Sequence, residues 1–162
     1  MKKEELAKMF SLPIRKILER LEVDAEEVQE IRLRVQCPLL ITWQGREYFV
    51  TESGRLTIDE KLAYIVDKRE VVETLEYMAN YSMYAFEEEL KQGFITVQGG
   101  HRVGVAGKIV MEAGKIQSVK YISFLNIRLS HQIKGLYKID FRSKSAVSNP
   151  AKVLSSHIAA AR

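Results

Sequence analysis

Between residues 28 and 51 the hydrophobic pattern of the chain changes period, and this change limits the possible folds more than any other feature. Ile31, Leu33 and Val35 alternate with Arg32 and Arg34. A period of two is the signature of a strand with one buried and one wet face. Upstream the period is helical. Leu6, Met9 and Phe10 recur at helical spacing, Ser11 stands where an N-cap belongs, and Pro13 sits early in a second helix. Ile14, Ile17, Leu18 and Leu21 share one face of that helix. Asp24 with Glu27 predicts a short capped turn. Cys37-Pro38 interrupts the first strand, and residues 39–43 and 46–51 read as two further strands around a Gln44-Gly45 turn.

Residues 52–54 predict another turn. Asp67-Lys68-Arg69-Glu70 then spells a capping box, with Asp67 accepting from the Glu70 backbone. The helix it opens places Val71, Val72, Leu75, Met78 and Ala79 on one stripe. Residues 80–82 break it, and Ser82 caps another helix that contains Phe86 and Leu90 and ends at Gly93. Strands follow at 94–97, 102–111, 115–121 and 125–129, with turns at 99–101 and 112–114. The order is helices, strands, two helices, strands. That predicts an α+β fold with a mixed or antiparallel sheet. No internal repeat is visible.

The chain has 162 residues, enough for one domain with a real core. Its longest charge-free runs, such as Gln36 to Gly45, fall short of the ~20 apolar residues that a membrane span needs. The beginning, Met1-Lys2-Lys3-Glu4-Glu5, lacks the apolar run of a secretory signal. Cys37 is the only cysteine, so no internal disulfide and no cysteine-based metal site can form, and a reducing, cytoplasmic setting is expected. The net charge of +4 is unevenly spread. Residues 128–162 hold seven basic residues against Asp140 alone, whereas the preceding 127 carry a net −2. The basic character therefore belongs to the end of the chain, which weakens a nucleic-acid reading. Residues 143–162 are serine-rich with little aliphatic bulk. The segment 135–162 is expected to be a poorly ordered or short-helical basic tail behind a domain at 1–134.

Gln98 to Lys108 carries four glycines with His101, Arg102 and Lys108. A phosphate loop needs a first glycine where Arg102 stands and a hydroxyl where Ile109 stands, so the spelling fails. The glycines read instead as a β-turn entering a strand that approaches other backbone closely. His101 and Arg102 remain placed to reach a phosphate held elsewhere, as an arginine finger does. Glu87-Glu88-Glu89 reads as a solvated helix face, and His101, His131 and His157 lack metal-ligand spacing. Cys37 reads as a small buried hydrophobe. Trp43, Tyr48 and Phe49 read as packing residues. Arg32 and Arg34 occupy the solvent face of their strand, where they could serve an acidic partner.

Four segments carry a resemblance. They are residues 30–34 (Glu-Ile-Arg-Leu-Arg), the run from Asn80 to Thr96, the run from Gly99 to Gly107, and residues 125–128 (Leu-Asn-Ile-Arg). In this order and spacing, over roughly residues 10–134, the chain resembles the stage III sporulation protein AA family of endospore-forming bacteria.

The resemblance implies a cytoplasmic, mother-cell ATPase similar to type II and type IV secretion and pilus ATPases. Such a protein has an N-terminal α/β domain followed by a P-loop domain, uses ATP and magnesium, and forms hexameric rings. It powers a transport apparatus between mother cell and forespore together with membrane-embedded components. The P-loop belongs shortly after the segment matching Leu125 to His131. Here no Gly-x-x-x-x-Gly-Lys-Ser/Thr occurs in the 162 residues, and the likeness ends near Leu136. The expectation is a truncated member holding the N-terminal domain alone, whose end looks out of frame. On its own it would bind no cofactor and be inactive. By analogy Arg102 and Arg128 are the residues that approach nucleotide held by a P-loop domain, against a plainer reading as strand-surface ion pairs. The rival function is a small nucleic-acid-binding module that uses the basic tail and the Gly100-His101-Arg102 turn.

Overall fold

In the computed structural model, residues 3–130 are described, and the expected tail at 135–162 lies outside them. Two short helices open the chain, α1 (Lys3–Ala7) and α2 (Leu12–Glu19). Met9 and Phe10 are not helical. They form the corner between the two helices, and Phe10 is fully buried there. Ser11 is the N-cap residue of α2, but its hydroxyl makes no cap bond. Its backbone N–H instead donates to Thr74 Oγ1 (3.1 Å), which ties the start of α2 to a later helix.

A 3-10 turn at Ala25–Glu27, capped by Asp24, leads into β1 (Val28–Arg34). The strands β2 (Leu40–Trp43) and β3 (Arg46–Val50) form a hairpin, and Gln44 and Gly45 both have positive φ in its turn. A short β4 (Leu56–Thr57) follows. Gly54, just before it, sits on the end of α2. A Cβ there would meet the Arg20 carbonyl carbon at 2.7 Å, and φ is +84°, so only glycine fits.

The helix α3 (Lys68–Met78) starts at the predicted box. Asp67 Oδ1 accepts from Arg69 N (2.8 Å), and the Asp67 N–H donates to Glu70 Oε2 (2.7 Å). The buried stripe is Glu70, Val71, Thr74, Leu75 and Met78. Val72, expected inside, faces solvent because the core-facing stripe is centred one residue away from it. The next helix is two pieces, a 3-10 turn (Met83–Phe86) and α4 (Glu87–Lys91), and Ser82 makes no side-chain cap bond.

The last strands are β5 (Phe94–Val97), β6 (His101–Glu112) and β7 (Lys115–Arg128). The two strands expected at 115–121 and 125–129 are one continuous strand. Its alternation breaks where Tyr121 adopts φ +50° and the β6–β7 register shifts opposite Gly107.

The seven strands of the described residues form a single antiparallel sheet in the order β4-β3-β2-β1-β7-β6-β5. The first strand therefore pairs with the last at the centre. The helices cover one face. Ile31, Leu33, Ile41, Ile95, Val103, Leu125 and Ile127 are completely buried there, against Leu6, Phe10, Ile14, Leu18, Val71 and Leu75. Each such side chain contributes about 1.5–3 kcal/mol by leaving water. No layer among the described residues lies over the opposite face, and alternation sends every second side chain there. No helix among the described residues is long and apolar enough to cross a membrane.

Candidate functional site

The uncovered face is built by register. Glu30 faces Arg128 across β1 and β7, Arg32 faces Asn126, and Arg34 faces Phe124. One strand further, Arg128 faces Arg102, and Arg102 faces Thr96 on β5. Arg102 and Arg128, distant in sequence, are thus cross-strand neighbours. Two like charges opposite one another are unfavourable unless compensated. Part of the compensation is Glu30, whose side chain is only 11% exposed. Its Oε2 accepts from Arg128 Nε (3.2 Å) and its Oε1 from Arg32 Nε (2.5 Å). Arg32 also reaches Glu47 Oε1 (2.7 Å). Burial would lower the affinity of Arg32 for its proton. The Glu30 and Glu47 carboxylates outweigh burial and hold the guanidinium above its ordinary value.

Two arginines rest on aromatic rings instead. Arg102 lies 4.5 Å from the Phe94 centroid and Arg34 lies 5.6 Å from the Phe124 centroid. A groove of about 490 Å³ opens beside them. Glu30, Arg32, Asn126 and Arg128 line one part of it, and Pro38, Leu40 and Phe49 another. Asn126 Oδ1 is buried and has no hydrogen-bond partner among the described residues. No motif in the sequence marks Glu30, Phe124 or Asn126 as site residues. Their signal is positional, since they occupy the outward places on the two central strands.

His101 does not join this face. Its side chain points to the covered side and is buried, and Nδ1 accepts the Ser130 N–H (3.0 Å). Its ring packs so close to Gly99 that a Cβ there would lie 2.6 Å from Nε2. The expectation that His101 and Arg102 act together on a phosphate is therefore corrected, because adjacent strand residues face opposite ways. The turn proposed for nucleic-acid contact likewise presents Arg102 without His101. Cys37 is half-buried rather than core and lines the groove. Glu88 and Glu89 are occupied locally, on Lys91 Nζ and on the Thr96 backbone. Among the described residues no group of three or more His, Cys, Asp or Glu could hold a metal ion.

A family model described as "Sporulation stage III, protein AA" matches residues 1–152. The chain belongs to the stage III sporulation protein AA family. The match reaches beyond Leu136, past the expected end of the likeness. A member of this family, Stage III sporulation protein AA from Bacillus subtilis (strain 168), is 34% identical over 110 residues. That alignment takes in 68% of this chain and 32% of the relative, so the chain spans about a third of the relative's length. Among solved structures, the VirB11 ATPase from the Brucella suis type IV secretion system, in complex with sulphate, aligns at 12% identity with a TM-score of 0.39. This alignment covers 98% of this chain and 42% of that one. For the stage III sporulation protein AA family, the segments quoted for the resemblance fall on β1, on α4 with β5, on β6 and on β7. These elements build the uncovered face or close its edge.

Proposed function

We propose that this chain is the companion domain of a sporulation ATPase, in which Arg102 and Arg128 meet the phosphates of a nucleotide held by a P-loop domain. The observation that carries the reading is the cross-strand pairing of these two arginines on a sheet face that nothing in the described residues covers. Arginine offers N–H donors in a rigid fork and no acceptor, which suits a phosphate. Glu30 fixes Arg128 through Nε, so its terminal nitrogens can point outward, and Phe94 supports Arg102 from beneath.

The donor set fits a phosphate and does not fit magnesium, for which the described residues offer no cluster of ligands. In the bound state ATP supplies the phosphoryl group, and these side chains neutralise and orient it. Hydrolysis also needs a lysine cradle and a hydroxyl ligand, and no P-loop spelling occurs in the 162 residues. The reading extends to a ring of chains on the cytoplasmic side, joined to membrane components of the sporulation apparatus.

The purified chain should turn over ATP at background rates. Mixed with a full-length relative that carries a P-loop, it should change that relative's ATPase activity. Arg102→Ala or Arg128→Ala should reduce the effect about tenfold or more while circular dichroism and melting temperature stay close to wild type. A turnover of about 1 s⁻¹ or more by the isolated chain would overturn the reading. So would arginine variants that act like wild type, or an effect replaced by salt-sensitive DNA binding.

A further inference from the structure

We infer that the groove on the uncovered face receives an acidic peptide segment of a partner protein, held in an extended conformation along β7 with carboxylates at positions i and i+4. At about 490 Å³ the groove suits a few side chains rather than a packed helix. Its cationic ends are defined. Arg34, stacked on Phe124, has no carboxylate partner among the described residues, and Arg128 gives Glu30 only its Nε. Phe124, which faces Arg34, and Arg128 are four residues apart on β7, or ~13 Å along an extended strand. An extended peptide places the side chains of residues i and i+4 on one side at that same spacing. Between the two cations lies Asn126, whose buried Oδ1 lacks a donor among the described residues, and a peptide N–H is a donor. Beside them Pro38, Leu40 and Phe49 offer an apolar wall to the residue at i+2.

Other occupants match less of this. An inorganic anion would use the arginines and leave the wall wet. A nucleic acid carries a phosphate at every nucleotide and would set some of them against Glu30 and Glu60, whereas two carboxylates at i and i+4 can rest on Arg34 and Arg128 alone. Residues 131–162 of the chain itself hold six basic residues against Asp140, which is the wrong charge for these cations. The inference stands apart from the nucleotide reading except that both use Arg128, so its decisive variant is at Arg34.

Cys37 provides the measurement, because it is the single cysteine and lines the groove. The rate of its alkylation by iodoacetamide is followed by intact mass with acetyl-Glu-Ala-Leu-Ala-Glu-amide present. Saturable slowing of about fivefold or more is expected at full occupancy. Arg34→Gln should abolish it and Asn126→Leu should weaken it. Arg102→Ala, outside the groove, should leave it intact even where that variant impairs the ATPase effect. No slowing at millimolar peptide would overturn the inference. Equal slowing by the lysine analogue would overturn it by showing apolar burial alone, and equal slowing by inorganic phosphate or ATP by showing a plain anion site. Should Arg34→Gln fail to fold, judged by circular dichroism, the peptide comparisons on the wild-type chain decide the matter.

Discussion

Glu70 shows how much one side chain can settle. It is 5% exposed, yet both carboxylate oxygens are used, Oε1 by the Tyr64 hydroxyl (2.5 Å) and Oε2 by the Asp67 N–H (2.7 Å). The capping half of this arrangement was legible in the sequence, because it is written in four consecutive residues. The Tyr64 half was not, since it needs the loop before α3 to fold back. The same distinction explains His101, whose partner Ser130 lies 29 residues away. Burial first, and then the bond to Glu70, push the Tyr64 hydroxyl above its ordinary value near 10. A group raised in this way contributes its full stability below pH 10 and loses it as the pH climbs toward the folded-state value. Alkaline melting curves should therefore fall steeply above pH 10 for the wild type. Tyr64→Phe should lower stability at pH 7 by about 1–2 kcal/mol and flatten that alkaline fall. An unchanged alkaline slope in the variant would show that another group titrates there.

Among the elements, β6 and β7 depart most from a simple alternation. Between residues 107 and 122 no other strand pairs with either, so the two run on as a ribbon closed by Ala113 and Gly114, both at positive φ. The sequence located both strands but split β7, since the bulge at Tyr121 moves every later side chain to the other face and erases the period. Gly107 is what allows the bulge. A Cβ there would lie 2.7 Å from the Lys120 carbonyl oxygen and 2.9 Å from Ile122 Cα, and backbone atoms cannot yield cheaply. Gly107→Ala should cost about 1–3 kcal/mol. It should also raise hydrogen exchange at Ile109 and Val119 well before the β1 amides are affected. If exchange rises uniformly over the sheet, the ribbon is not a separate unit of opening. The free edge at β5 is guarded differently, by Glu89 accepting the Thr96 N–H (2.8 Å), so α4 closes a row that would otherwise invite another strand.

Over the whole molecule, the α+β class and the positions of most strands could be read from the sequence, but the short β4 and the arrangement of the site could not. The separation of the two periods marks strands and helices locally. Which strand lies beside which depends on β1 meeting β7, and the Glu30–Arg128 contact spans 98 residues. Arg102 and Arg128 could be named singly, but their adjacency and their shared dependence on Glu30 come only from that closure. The closure also predicts how the domain unfolds. The sheet and the helices covering it share one core, and β1 and β7 at its centre join the beginning of the chain to the end of the described part. Ile14 on α2 and Ile127 on β7 are both completely buried in that core. Ile14→Ala and Ile127→Ala should each cost about 2–5 kcal/mol and shift the same urea transition without changing its slope. Fluorescence of Trp43, the single tryptophan, reports on the β2–β3 hairpin, and far-ultraviolet circular dichroism reports on the helices. If the layers form one cooperative unit, the two signals coincide in the wild type and in both variants. If Ile14→Ala moves the helical signal alone, the helices are an independent layer and the sheet stands without them.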